Sequence, residues 1–134
     1  MGIIVDTCVF IHTEKNGTLA NFVQLGHEEI YISSITASEL LVGVHHANTA
    51  ERKLKRTTFV EIILNNIPIL DFTLDVARIH SEIYTNLSKK GIAIGSHDLI
   101  ISATALSNNF TLLTNNIKDF KHVPKLKLEN FSFS

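Results

Sequence analysis

Short runs of β-branched and aliphatic residues recur along the 134-residue chain, and longer stretches with helical spacing separate them. That alternation is the strongest constraint on the fold. Gly2–Val5 is too short for a helix, stops abruptly at Asp6 and predicts a buried strand. Glu29–Ser33 predicts a second strand and residues 67–70 a third, with Pro68 near its start, where a missing N–H is tolerated. Thr111–Thr114 predicts a fourth strand and residues 126–128 a short fifth. Between them, Gly17 marks a turn and residues 19–25 have helical spacing. Residues 36–47 carry Ala37, Leu40, Leu41 and Val44 as an apolar stripe, and residues 49–65 form a polar helix with Leu54, Val60, Ile63 and Leu64 as its buried face. Thr73 is the predicted N-cap of a helix carrying Val76, Ala77, Ile79, His80, Ile83, Tyr84 and Leu87, which stops at Gly91. Gly95 and Ser96 open a last helix, residues 98–106, apolar on nearly all sides and so expected inside the molecule. This order predicts an α/β fold, a central, mostly parallel sheet of four to five strands with helices on both faces. Ligand sites in such sheets lie beyond the carboxyl ends of the strands. That draws attention to Asp6, Ser33, Ser34, Asp71, Thr114, Asn115 and Asn116.

Composition limits the alternatives. With 45% hydrophobic and 19% charged residues the chain can fill a core, and it is expected to form one domain over residues 1–134. Twelve basic against thirteen acidic residues give a net charge of −1, which excludes a polycation but not a local basic patch. Cys8 is the single cysteine, so no internal disulfide can form. The apolar stretch 30–44 is interrupted by Ser33, Ser34, Thr36, Ser38 and Glu39, and the N-terminus lacks a basic leader. A cytoplasmic, soluble protein is the expectation.

Four carboxylates stand out, each with an ordinary local role to set against a chemical one. Asp6 could cap the short segment 8–12. Thr36-Ala37-Ser38-Glu39 fits a capping box, with Glu39 reaching back to the cap N–H. Asp98 could complement the dipole of its helix, and Asp119 could sit at N3 behind an Asn116 cap. Taken together the local roles are less satisfying, because all four map to the same end of the predicted sheet. Such a cluster repels itself unless a divalent cation offsets its charge. Oxygen donors without a Cys/His set suit Mg²⁺ or Mn²⁺, and carboxylate-held metals are a common arrangement for phosphodiester hydrolysis.

Four blocks carry a family resemblance: Ile4-Val5-Asp6-Thr7, Ser34-Ile35-Thr36 with Glu39-Leu40, Ile94-Gly95-Ser96-His97-Asp98 with Ala103, and Leu113-Thr114-Asn115-Asn116 with Asp119-Phe120. In this order and spacing the chain resembles the PIN domains of the VapC ribonuclease toxins of type II toxin–antitoxin pairs, over nearly its whole length and into the tail from Val123-Pro124 to Leu128-Glu129-Asn130. The resemblance implies a PIN-like three-layer α/β/α sandwich and a Mg²⁺- or Mn²⁺-dependent endoribonuclease. It places Asp6, Glu39 and Asp98 at the acidic metal positions, Asp119 at a fourth, more variable one, and Thr7, Thr114 and Asn116 in supporting roles. It also implies a homodimer, or a larger toxin–antitoxin assembly, held inactive by a VapB-like antitoxin that covers the site, and the segment from Ser34 to Asn65 is where the antitoxin groove is expected. Lys125 stands where the family usually has glycine, a departure expected to leave the chemistry untouched.

Lys118, Lys121, Lys125 and Lys127, with His122, form the densest basic stretch and a candidate track for RNA phosphates; an ordinary solvated face is the alternative. Arg52, Lys53, Lys55 and Arg56 read more readily as a solvated helix face. His45 and His46 are adjacent and point apart, His97 could lie near the site but reads more readily as a hydrogen-bonded structural histidine, and Cys8 reads as a small hydrophobe packed in the core beside Asp6. Two other nuclease-fold readings compete: a PIN nuclease of RNA processing or repair, and a PIN scaffold without catalysis, which the four carboxylates argue against. A phosphoacceptor receiver domain would need an acidic pair after the first strand, where Asp6 is single, and leaves Glu39 and Asp98 without purpose.

Overall fold

The computed structural model describes residues 2–16 and 29–131. The turn at Gly17 and the helical spacing of residues 19–25 lie outside the described residues. Five strands form the sheet: β1 (Gly2–Val5), β2 (Glu29–Ser33), β3 (Ile69–Leu70), β4 (Thr111–Thr114) and β5 (Leu128–Asn130). The helices are α1 (Thr7–Asn16), α2 (Ser34–His45), α3 (Ala50–Asn66), α4 (Leu74–Lys89), α5 (Ser96–Asn108) and the single turn α6 (Ile117–Phe120). Strand order is β3-β2-β1-β4-β5 and every pairing is parallel.

β1 is the middle strand, and its β-branched run serves both faces, as parallel sheets covered on both sides require. Val5 joins Ile32, Val9, Phe10 and the inner faces of α2 and α3 in one core, with Ile3 packed against it. Ile4 points the other way, against Ile101 and Ala105 of α5 and Leu112 of β4. A further cluster joins α4 to α5 through Val76, Ile83, Leu87, Leu99 and Ala103. α5 is the most enclosed helix, buried from Ile101 through Ala105. Its polar members Ser102 and Thr104 can be buried because their hydroxyls donate to the carbonyls of Asp98 and Ile100, at 2.8 and 2.7 Å. No helix among the described residues is long and apolar enough to cross a membrane.

Several elements differ from expectation for local reasons. The helix expected over 36–47 begins at Ser34, because Ser33 is its N-cap and accepts from the Thr36 N–H at 3.2 Å. Glu39 is thereby released from the expected capping box. Thr49 and Thr73 do cap α3 and α4. Leu54 is 69% exposed rather than on the buried face of α3. The third strand starts at Ile69 because Ile67 is the buried C-cap of α3, its N–H donating to the Ile63 carbonyl at 2.9 Å. The fifth starts at Leu128, two residues late, after a left-handed turn at Lys125 (φ 66°).

That turn explains why glycine would suit position 125. An L-residue in the left-handed region costs about 1–2 kcal/mol, and glycine returns about 0.5–1 kcal/mol of this through its freer unfolded chain. Lys125→Gly is expected to raise stability by up to about 1 kcal/mol, read as a later midpoint in urea; an earlier midpoint would show that the lysine side chain holds this turn.

Candidate active site

β1 has β2 on one flank and β4 on the other, so the chain's winding changes direction beside β1. At such a switch point the loops after the strands part and leave a crevice at their carboxyl ends. Asp6 stands there. Its N–H donates to the Leu113 carbonyl at 2.9 Å, continuing the β1–β4 ladder by one rung. The residue is only 6% exposed, and a buried carboxylate is costly without partners. Three donors supply them: the Thr7 N–H to Oδ1 at 2.8 Å, and Thr114 Oγ1 and Cys8 Sγ to Oδ2 at 2.7 and 3.4 Å. Thr114 Oγ1 in turn accepts from the Asn116 N–H at 2.9 Å, so its hydroxyl hydrogen is directed at Asp6. Asp6 therefore holds the first N–H of α1, and it also bridges to β4 across the crevice.

Cys8 is more than the core hydrophobe expected from the sequence. Burial pushes its thiol up to about 11, aided by the Asp6 charge and opposed by hydrogen bonds from the Asn115 backbone and Thr114. It stays protonated at neutral pH and serves Asp6 as a donor, not as a nucleophile.

Glu39 reaches the crevice from the second turn of α2. Thr7 Oγ1 donates to its Oε1 at 2.7 Å, and His97 Nδ1 lies 3.2 Å from its Oε2. His97 is thus hydrogen-bonded, as expected, and stands at the rim with its side chain 52% exposed. Asp98 follows it in the first turn of α5, where Gly95 supplies no side-chain cap and the backbone N–H end of the helix meets the carboxylate. Asp119 comes from α6 after β4; Asn116 occupies the N-cap position, but its Nδ2 donates to Asp119 Oδ2 at 3.1 Å rather than its Oδ1 capping the turn.

Asp98 feels the other three carboxylates. Burial, and then the charges of Asp6, Glu39 and Asp119, push the Asp98 carboxyl up from 3.8 to about 6, with His97 acting in the opposite direction. Among the described residues no three Asp, Glu, His or Cys side chains close into a ready-made cage for a metal. The donor set nevertheless fits a hard divalent cation: oxygen ligands only, from several elements, with unrelieved mutual repulsion.

Other candidates are dispersed. Asp71 is exposed at the end of edge strand β3. Lys118 and Lys121 flank Asp119. Lys125 instead lines a groove with Ile79, Glu82 and Leu106, and Lys127 Nζ donates to Asn109 Oδ1 at 3.0 Å. Leu106 and Asn109 lie at the other end of α5, about 12–16 Å along the helix from Asp98, so the basic stretch divides in two. Of the second basic cluster, Arg52 donates to Asn48 and Arg56 pairs with Glu14 at 3.2 Å. Arg56 also borders a groove of about 120 Å³ next to the site, lined by Thr7, Ile11, Glu39, Leu40 and Phe59 among others. One wall of that groove is α1, outside the segment from Ser34 to Asn65 where a groove was expected.

Residues 3–126 match the PIN domain family. The chain is 36% identical to Ribonuclease VapC of Rickettsia bellii over 96% of this chain and 95% of that protein. It is 29% identical to the tRNA(fMet)-specific endonuclease VapC of Salmonella typhimurium, over 94% of this chain and 93% of that one. Among solved structures it is similar to VapBC2 from Rickettsia felis bound to a DNA fragment from their promoter, with a TM-score of 0.88, 33% identity, and coverage of 98% of this chain and 100% of that one.

The raised Asp98 carboxyl has a consequence for stability. Folding favours its protonated form, so without a bound cation this group costs stability as pH rises from 3.8 to about 6, and the loss is complete above that window. Asp98→Asn removes the charge. In chelator at pH 7.5 the variant is expected to melt about 3–5 °C above wild type, corresponding to about 1 kcal/mol after allowance for solvent at this half-buried group. The two melting temperatures should converge near pH 4. A variant melting at or below wild type at pH 7.5 would mean that Asp98 carries no electrostatic strain.

Proposed function

The chain belongs to the PIN-domain family, in its VapC branch, and from that premise we propose that it is a Mg²⁺- or Mn²⁺-dependent endoribonuclease, the toxin of a toxin–antitoxin pair. The observation that carries this reading is the convergence of Asp6, Glu39, Asp98 and Asp119, from four separate stretches of chain, on one crevice where burial and then the charges of the other three raise the Asp98 carboxyl. A purely structural role would not require such repulsion.

Asp6, Glu39, Asp98 and Asp119 are the groups that would hold the cation. When bound, it supplies positive charge that lowers the pKa of a water and offsets charge on the phosphate oxygens. Asp6, held by three donors, keeps its carboxylate fixed at the floor of the crevice. Asp98 or Asp119 orients the attacking water and takes its proton as the new P–O bond forms and the bond to the leaving oxygen breaks. Thr7, Thr114 and Asn116 act through the carboxylates, as their hydrogen bonds to Glu39, Asp6 and Asp119 indicate. Lys118 and Lys121 are placed in sequence to meet RNA phosphates beside Asp119.

The names of the similar proteins point to structured RNA, tRNA among them, as the substrate class. The groove beside Glu39, with apolar Ile11, Leu40 and Phe59 next to Arg56, suits a segment of a VapB-like antitoxin, which would cover Glu39 when seated. Solved VapBC complexes of similar chains support that partner. A homodimer in the cytoplasm completes the reading.

The test is cleavage of a panel of structured RNAs, tRNAs included, by antitoxin-free wild type and Asp98→Asn, in Mn²⁺ or in EDTA. Cutting is expected only from wild type with Mn²⁺, with the variant slowed by at least about 100-fold, the range expected for loss of a proton acceptor. Absence of metal-dependent cutting across the panel, or equal cutting by the variant, would overturn the proposal.

A further inference from the structure

The four carboxylates are not held alike. Asp6 is short, buried and tied by three donors. Asp119 is tied by Asn116 from its own turn. Glu39 is longer by one methylene, its side chain is 32% exposed, and no backbone N–H holds it among the hydrogen bonds described. A free glutamate in that position would populate several rotamers and lose their entropy on taking up a ligand. Two side chains oppose this, one at each oxygen: Thr7 from α1 and His97 from α5. A carboxylate oxygen only accepts, so at this contact the hydrogen lies on His97 Nδ1. The contact spans 58 positions of sequence and joins α2 to α5 across the mouth of the crevice.

Resting on the nuclease reading above, we propose that His97 is the positioning residue for Glu39, whose Nδ1–H presets the Glu39 carboxylate at the crevice before cation or RNA arrives. Donors behind ligating carboxylates act in this way, and their loss commonly weakens metal binding by about 10–100-fold. At 52% exposure the same imidazole adds little to folding, so its effect falls on the site and not on stability.

Two substitutions separate this role from others. His97→Ala deletes the donor. His97→Asn keeps an N–H donor at nearly the position of Nδ1, because Nδ1 of histidine and Nδ2 of asparagine are both bonded to Cγ. Melting temperature is followed against Mn²⁺ concentration without RNA at a single pH, and RNA cleavage is followed in parallel. His97→Ala is expected to melt with wild type in EDTA yet to need about tenfold more Mn²⁺ for the same upward shift, with cleavage displaced along the Mn²⁺ axis by the same factor. His97→Asn is expected to recover most of that loss. An unchanged Mn²⁺ midpoint in His97→Ala would overturn the inference, even if the KM for RNA rose, since that would make His97 a substrate contact. Equal losses in the alanine and asparagine variants would also overturn it, because the ring and not its N–H would then matter. A wild type whose melting temperature ignores Mn²⁺ and which cuts no RNA would overturn the nuclease reading, and this inference with it.

Discussion

A carboxylate buried at the end of the middle strand dictates what surrounds it. Asp6 is 6% exposed, and nothing about the strand that carries it requires an acid there: Ile3, Ile4 and Val5 already fill both layers. Burying that charge is tolerable only because the sheet switches direction beside it, bringing the end of β4 close enough for Thr114 to donate at 2.7 Å while α1 begins with the Thr7 N–H aimed at the other oxygen. Hydrogen bonds to a charged group contribute about 1.5–3 kcal/mol each, so these contacts offset desolvation and fix the carboxylate at the same time. The crevice floor is thus also a structural joint between the first and fourth strands.

The remaining acids are placed around that joint with decreasing restraint. Glu39 is held by side chains alone, and Asp98 has burial and three like charges working against its ionisation. An arrangement that raises the free energy of its own charged state is poorly designed as a scaffold and well designed as a receptor for positive charge. The apolar surroundings contribute as well, since the enclosed α5 lowers the local dielectric and strengthens each of these interactions.

Much of this could be read from the sequence, and the parts that could not share a cause. β1, β2 and β4 were legible to the residue because β-branched runs bounded by polar residues have no competing helical period. The Thr49 and Thr73 caps were legible because capping is local. The four acids could be gathered at one end of the sheet because strand direction follows from strand–helix alternation. What failed depended on competition or on distance. Ser33 outcompeted Thr36 as the cap of α2, although both are good caps, because Ser33 ends the strand in extended geometry. Leu54 follows the helical stripe yet faces outward, since periodicity names a face without saying what covers it. Sequence proximity to Asp6 and Asp98 is enough to set Cys8 beside Asp6 and to expect a hydrogen-bonded His97, but not to name Glu39 as the partner of His97 or to make Cys8 a donor, because hydrogen bonding between side chains is a three-dimensional fact. Lys125 was grouped with Lys118 by proximity in sequence, whereas the chain turns away between them.

The central claim is that these carboxylates form a receptor for a divalent cation, with Asp6 as its fixed element. Calorimetric titration of Mn²⁺ into the antitoxin-free protein tests it without RNA and without turnover. The account predicts saturable binding by wild type at pH 7.5 and a loss of at least about tenfold in affinity in Asp6→Asn, which keeps the shape but not the charge of the side chain. No saturable binding by wild type, or equal affinity in the two proteins, would contradict it.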